Sequence, residues 1–465
     1  VGTILYSGGV VDRIIGRFEK GFVEKLTQKR LIGREAEYPV VWPDGNAADV
    51  RLLLKELHKK DLQDFTPMFE ELPCRLLGSE KQLAGLRSPD KKLEIVLEVG
   101  WGTVEVITGP FGDLNELKTA HEDAMRFVVH AAARLGMKVL GSGLQPRTRP
   151  NLELMTPRPR YLTMRDLLGE EVWEAWCVTA SDQIHVDVCK EEIPRVNNLV
   201  NLLHPLVVAL CGNSAVLGGE ISPFMCARQG LMRDLGYRHG MPLTPISSLR
   251  DHIAKIMDFP FLWIRNDDGQ LEVIEDRTFE QWASEQETKH GSNSTTRLDN
   301  EYDCFLLHDH YVWHSARPRN KQGTVECRAA CQQPWSEHMS AAALHLGMVE
   351  NSEGIWSLIQ EEGGGENMTF DEVWGDFQNT TMDAENVGLG MLREDASFLN
   401  ADFVESILKE CRKGLESRGL NEEHLLDPLF HRMQKRKNPA QEAVEIAKSD
   451  GLQGFISHSE INCGF

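Results

Sequence analysis

Residues 31–42, LIGREAEYPVVW, restrict this chain more than any other stretch. The run reads as a buried β-strand, yet it carries Glu35 and Glu37 two residues apart. Side chains alternate faces along a strand, so both carboxylates fall on one surface. Left alone they repel each other; beside a cation they do not. The pattern recurs. In SDQIHVDV (181–188), Gln183, His185 and Asp187 share a face opposite Ile184, Val186 and Val188. In GTVECRA (323–329), Glu326 and Arg328 face away from Val325 and Cys327. VLEVGWGTVEV (96–106) places Glu98 and Glu105 on either side of a glycine turn. A solvated sheet face is normally mixed polar, with Lys, Thr and Ser; these faces repeat Glu, Gln, His and Arg without Lys. A lining of oxygen and nitrogen donors suits hard cations such as Mg²⁺ or Mn²⁺. Arg317, Arg319 and Arg328 are near enough in sequence to hold phosphate oxygens by forked hydrogen bonds.

Further strands are expected at EIVLEVG, GTVEVIT (102–108), MKVLGSG, FPFLWIR and CFLLHDHYVWHSA. Between them, DLNELKTAHEDAMRFVVHAAARLG predicts a long helix capped by Asp113 and ended by Gly136. Its apolar stripe is Leu117, Ala124, Phe127, Val128, Ala131 and Leu135. EIPRVNNLVNLLHPLVVALCGNS predicts a buried helix interrupted near Pro205. After the linker-like EEGGGEN (361–367) the pattern is helical. ADFVESILKECRKGLESRG stops at Gly419, and NPAQEAVEIAKSDG has Asn438 as cap and Gly451 as exit. Regular βα units are missing, so the expected class is α+β. The expected division is a catalytic region over 1–360 and a helical region over 361–465 packed on it.

The chain has 465 residues and a formal net charge of -21. An acidic surface repels a phosphate backbone, which argues against nucleic acid as a partner. No apolar run is long enough to span a bilayer. The ten cysteines are scattered and form no CxxC pair, which fits a reducing compartment. The chain opens on Val1 with no signal-peptide pattern; the expected place is the cytoplasm, or a plastid if an upstream transit segment is removed. There is no G-x-x-x-x-G-K-[ST] loop, and GSGLQP is not a full G-x-G-x-x-G. His308, His310 and His314 in HDHYVWH read as a polar strand face rather than a zinc site. Cys327 and Cys331 read as small core residues.

Several blocks, in order, resemble the plant-type glutamate–cysteine ligases, of the carboxylate–amine ligase group related to glutamine synthetase. They are LIGREAEY, LEVGWGTVEVITGP, GSGLQPRTR with ELMTPRPRYLTM, ASDQIHVDV, CGNSAVLGGEISPFMCARQ and TVECRAACQQPW; the tail segments KGLESRGLNEE and NPAQEAVEIA are similar too. The likeness runs from about residue 13 to about residue 454. It implies a curved, mainly antiparallel sheet forming an active-site funnel, flanked by helices, with a helical C-terminal region. It implies ATP as co-substrate and Mg²⁺ (or Mn²⁺) held or positioned by Glu35, Glu37, Glu98, Glu105, Gln183, His185 and Glu326. Arg317 and Arg328 would contact phosphates, and Arg228, Arg160, Tyr161 and Trp101 would bind substrate. The implied reaction forms γ-glutamylcysteine from glutamate and cysteine through γ-glutamyl phosphate, in a monomer or homodimer. Ala36, Tyr38, His185 and the AAC after Arg328 depart from the family pattern without removing a ligand. They leave open a ligase with another amine acceptor; a guanidino-type phosphotransferase is a further alternative.

Overall fold

The apolar halves of the alternating strands need a cover on one face only. Among the described residues, nine antiparallel strands form a single sheet with helices packed on that face. The computed structural model describes residues 8–74, 78–260, 263–266, 271–274, 277–290, 295–363, 365, 367–392 and 399–462. The strands are β1 (Ile32–Val41), β2 (Thr66–Cys74), β3 (Gly78–Arg87), β4 (Leu93–Leu97), β5 (Thr103–Phe111), β6 (Lys138–Val139), β7 (Asp182–Asp187), β8 (Ala316–Arg319) and β9 (Thr324–Cys327). Their order is β8-β9-β7-β1-β5-β4-β3-β2, and β6 pairs with the end of β1. The helices that matter below are α1 (Val50–Lys60), α2 (Leu114–Arg134), α3 (Pro159–Leu168), α4 (Ile193–Leu202), α5 (His204–Cys211), α6 (Ala227–Met232), α7 (Thr295–His310), α8 (Ser340–Glu350), α9 (Phe370–Val387), α10 (Ala401–Arg418) and α11 (Pro439–Ser459).

Ile32, Ile184, Val186, Val325 and Cys327 pack against α4 and α8 in one core. Ala36, Tyr38, Ile95, Val104 and Val106 pack against α1 and α2 in a second. Each fully buried aliphatic side chain here contributes about 1.5–3 kcal/mol. With that face committed to the core, the alternate residues of the same strands are left to line the other face.

Asp113 caps α2 by accepting from Asn115 N at 2.6 Å. Leu117, Ala124, Val128 and Ala131 are buried as the stripe requires. Phe127 is not: it lies off the stripe's centre and is 39% exposed. The buried helix breaks at Leu203 into α4 and α5, with Pro205 in the first turn of the second. In the tail, α10 ends on Gly419 in the left-handed region. Gly451, expected as an exit, instead kinks α11, which continues to Ser459.

Three strand expectations hold only in part. Residues 304–310 of CFLLHDHYVWHSA are the end of α7, leaving only short β segments after it. Buried residues there fall in pairs at 301/302, 304/305 and 308/309, a 3.6-residue period that the apolar run Phe305–Leu306–Leu307 conceals. MKVLGSG yields only the two residues of β6. In FPFLWIR, Trp263–Arg265 pairs with Leu271–Val273, and residues 261–262 lie outside the described residues. The β2–β3 hairpin is not among the expected elements. Pro67 and Pro73 obscure β2, which tolerates them because it is the sheet's edge strand. Among the described residues, no helix is long and apolar enough to cross a membrane.

The C-terminal helices reach this core through a close crossing of α8 and α10. A Cβ on Gly347 would lie 2.5 Å from Cys411 O, and one on Gly414 would lie 2.6 Å from Gly347 O. The sign of Gly347→Ala is therefore diagnostic. Helix propensity alone would add up to about 1 kcal/mol of stability. The crossing predicts a loss of about 1–3 kcal/mol instead, to be read from the shift of the urea midpoint.

Candidate active site

Strand register turns the polar faces of five strands into one surface. Arg317 on β8 pairs with Glu326 on β9, and Glu326 pairs with His185 on β7. Gln183 of β7 lies opposite Glu35 of β1, and Glu37 of β1 lies opposite Glu105 of β5. Glu98 follows directly on the end of β4. Together these residues line a cavity of about 240 Å³.

Two trios of donors stand side by side in it: Glu37, Glu98 and Glu105, and Glu35, His185 and Glu326. Within each trio the ligand atoms lie within 4.8 Å of one another. In the first trio, Glu37 accepts from Ser181 N at 2.6 Å and from Gln183 Nε2 at 3.0 Å. Those donors are outweighed. Burial and the facing Glu98 push the Glu37 carboxyl up to about 7. Burial together with Glu98, Glu35 and Glu37 pushes Glu105 well up too. No side-chain cation pairs with this trio among the described residues, so three acids share one small volume. The second trio differs. Burial alone would raise Glu35, but His185 Nε2, 3.2 Å from its Oε1, holds the carboxyl below the usual range. His185 Nδ1 lies 3.1 Å from Thr324 Oγ1, which fixes the ring.

Glu326 gathers the arginines. Burial is overcome there by Arg317, Arg328 and Arg319, which keep its carboxyl well down. Arg317 is bidentate to it, with Nε at 2.7 Å and Nη2 at 3.2 Å. The remaining terminal nitrogen of Arg317 donates to His310 O at 2.9 Å, at the C-terminal end of α7, and to Val312 O at 2.8 Å, just beyond it. Its donors are thus committed to Glu326 and to backbone. Arg328 bridges Glu326 and the amide oxygen of Gln183, while Arg319 stands 3.3 Å from Glu326 and is less buried. Gln183, expected among the ligands, lines the same cavity between the two trios, donating to Glu37 and accepting from Arg328.

Of the expected substrate residues, Arg160 and Tyr161 line the cavity from α3. Arg228, on α6, does not line the cavity; it is buried beside Glu37 and donates to the carbonyls of Ala329 and Arg328. Trp101 is a correction. It lies in the α1–α2 core with Arg51 stacked on its ring at 3.8 Å, and it does not line the cavity. Its expected role came from the family resemblance alone.

Sequence reasoning missed the cavity's aromatic wall: Trp173, Trp176, Tyr311 and Trp313. Trp173 and Trp176 belong to the short helix Glu170–Glu174 and the turn Ala175–Val178 that follows it, and their i, i+3 spacing was the available signal. His310 also lines the cavity, from the end of a helix rather than from the polar strand face expected of it. Burial, with Arg317 and Arg319 nearby, lowers its imidazole to about 3. Cys327 and Cys331 are fully buried, and Cys331 Sγ lies 3.5 Å from Cys226 Sγ. A larger cavity of about 740 Å³ opens elsewhere, beside Arg30 and Arg418. Those cations are already paired with Glu192, Glu350 and Glu422, so it offers no free charge of theirs for chemistry.

The family model described as glutamate-cysteine ligase family 2 matches residues 68–353. The chloroplastic glutamate–cysteine ligase of Brassica juncea is 22% identical over 363 residues, covering 76% of this chain and 67% of that protein. The chloroplastic glutamate–cysteine ligase of Arabidopsis thaliana is 21% identical over 363 residues, covering 76% of this chain and 66% of that one. The chain thus spans about two thirds of the length of these curated relatives. Among solved structures, the glutamate–cysteine ligase of Francisella tularensis in complex with AMP superposes with a TM-score of 0.56 at 11% identity. That likeness covers 94% of this chain and 88% of that one, and it establishes a shared fold.

Proposed function

The chain belongs to the glutamate-cysteine ligase family 2, and on that premise we propose that it joins L-glutamate to L-cysteine at the expense of ATP. The observation that carries the reading is the pair of donor trios in one cavity, one of them a set of three acids that makes no ion pair among the described residues. A carboxylate is a poor electrophile toward an amine. Transfer of the γ-phosphoryl group of ATP to the glutamate side chain makes an acyl phosphate, and the amine then displaces phosphate. Such a reaction needs positioning and neutralisation of phosphate charge more than a protein nucleophile.

The residues fit Mg²⁺ or Mn²⁺. All but one of the six donors are carboxylates, the remaining one is an imidazole, and no thiol is among them. Glu37, Glu98 and Glu105 would hold one cation, and Glu35, His185 and Glu326 another. Bound there, such cations withdraw charge from phosphate oxygens. Arg317 keeps Glu326 in place, and Arg319 and Arg328 are the guanidinium groups left to meet phosphate oxygens. Arg228, beside Glu37 and without an ion pair among the described residues, would take the α-carboxylate of glutamate. The buried thiols fit a reducing compartment, cytosol or plastid.

The test is phosphate release from ATP with and without glutamate and with a panel of amines. Release that requires glutamate and a divalent cation, with γ-glutamylcysteine found by mass spectrometry, is the expected result. Release indifferent to glutamate would overturn the reading.

A second expectation concerns pH. Glu37 has its carboxyl raised to about 7 in the folded protein, so ionising it destabilises the metal-free protein as pH climbs from the ordinary glutamate range through 7. A cation removes that penalty but must displace the proton at lower pH. Mg²⁺ should therefore raise the thermal midpoint more at pH 8 than at pH 6, with about tenfold weaker binding at the lower pH. Equal shifts at both pH values would exclude Glu37 as a ligand.

A further inference from the structure

Resting on the reading above that Arg319 meets phosphate oxygens of ATP, we infer that Asp309 is the positioning residue of that arginine. Asp309 is the acid inside HDHYVWH, and it belongs to neither donor trio.

The carboxylate stands where helix chemistry alone would not put one. Asp309 is the penultimate residue of α7 and is buried, at the helix end whose carbonyls repel an anion. Nitrogen groups on two sides make it tenable. Arg319 Nη1 lies 4.0 Å from Asp309 Oδ2, and His252 Nε2, on the helix Leu249–Met257, lies 3.7 Å from Oδ1. That nitrogen of His252 is buried and makes no hydrogen bond among the described residues. Burial alone would raise the Asp309 carboxyl, but His252, Arg319 and Arg317 together hold it below the usual range.

What the acid does follows from Arg319. This guanidinium reaches the cavity from β8 between two carboxylates, with Nε 3.3 Å from Glu326 Oε2 and Nη1 toward Asp309. It forms no hydrogen bond among the described residues, so its donors remain for phosphate oxygens while its charge is held from both sides. Glu326 cannot fix it alone. Arg317 takes both oxygens of Glu326, and Arg328 shares one of them. The same carboxylate is a donor of the second trio. Those oxygens are shared further whenever the trio holds a cation, whose charge also repels a guanidinium. Asp309, outside both trios, keeps its charge for Arg319. An arginine held in place before phosphate arrives has less freedom to lose in binding it. The backbone carbonyl of Asp309 meanwhile lies 3.5 Å from Arg317 Nη1. The end of α7 thus holds one arginine through its backbone and another through a side chain, and a change confined to the carboxylate leaves the first contact in place.

The experiment is a double-mutant cycle between Asp309→Asn and Arg319→Met. It is read by kcat/KM for ATP and, independently of turnover, by calorimetric binding of the non-hydrolysable imido analogue of ATP with Mg²⁺. Arg319→Met should lower kcat/KM for ATP by about 100-fold, and Asp309→Asn by about tenfold. The double variant should be no worse than Arg319→Met alone, to within about twofold, in both readouts. The KM values for glutamate and cysteine should stay within about twofold of wild type. Asp309→Leu, apolar and of similar size, serves where Asp309→Asn does not fold. Losses that multiply in the double variant overturn the inference. So does loss of the fold in both Asp309 variants, which would make the carboxylate a structural part of α7. Wild type that binds the analogue but releases no phosphate in response to glutamate overturns the ligase reading instead, and the binding cycle still decides the role of Asp309. Wild type that does not bind the analogue overturns both.

Discussion

Glu37→Ala should reduce amide formation to below about 1% of the wild-type rate, the scale seen when one preorganised electrostatic contact is removed, and yet leave the protein folded. The two halves of this expectation rest on different features of one residue. For activity, Glu37 faces both other members of its trio: Glu105 across the strand pair, and Glu98, whose charge helps to raise it. Without it two carboxylates remain, and a cation loses a ligand and a unit of charge. For stability the terms oppose each other. Ser181 N and Gln183 Nε2 lose an acceptor, worth about 1–3 kcal/mol for buried donors. The buried carboxyl's desolvation and its repulsion from Glu98, the causes of its raised pKa, vanish too. The net change should be small. Phosphate release coupled to glutamate, measured beside a thermal melt, separates the two. Turnover within a few-fold of wild type would remove Glu37 from the ligand set. Collapse of the melt would show instead that the carboxylate is structural.

The period-2 signal in residues 31–42 was enough to place Glu35 and Glu37 together, because alternation along a strand is a local property. The same holds for the polar faces of β7 and β9. Register is not local. That Glu326 stands opposite His185, and Glu37 opposite Glu105, depends on pairings between residues 141 and 68 positions apart; only the order of the family-like blocks anticipated it. Residues 304–310 show the opposite limit. A short apolar run fits helix and strand equally, and its burial is decided by the partners of α7 rather than by the run itself. Misreading that helix hid the fact that the carbonyls around its C-terminal end occupy Arg317. It also hid the route by which His310 and Trp313 reach the cavity. Trp101 failed for a related reason: a glycine turn gives no hint of which way its central ring points, and Arg51 covers that ring from α1.

Asp182→Ala should lower the unfolding free energy by about 3–5 kcal/mol, the usual result of leaving a buried charge without its partner. Arg34 and Asp182 are both fully buried on the face of β1 and β7 that points away from Glu35. Their contact is bidentate, Nε to Oδ1 at 2.7 Å and Nη2 to Oδ2 at 2.9 Å. Arg34 also donates to His338 O at 2.8 Å and meets His338 Nδ1 at 3.1 Å. Truncating the acid strands a guanidinium that has no route to water. The pair as a whole need not stabilise the fold. Burial pushes the Asp182 carboxyl up, and Arg34 does not fully reverse it, so desolvation offsets much of the attraction. The double variant Arg34→Met with Asp182→Leu should then recover most of the lost stability, as a compact apolar replacement does elsewhere. Because the strand that carries Glu35 and Glu37 rests on this pair, Asp182→Ala should lose turnover along with stability, and the double variant should regain both. Urea midpoints and turnover for the three proteins decide it. A single variant within about 1 kcal/mol of wild type would show that water reaches Arg34. A double variant that is stable yet inactive would mean that the pair sets the geometry of β1 as well as its burial.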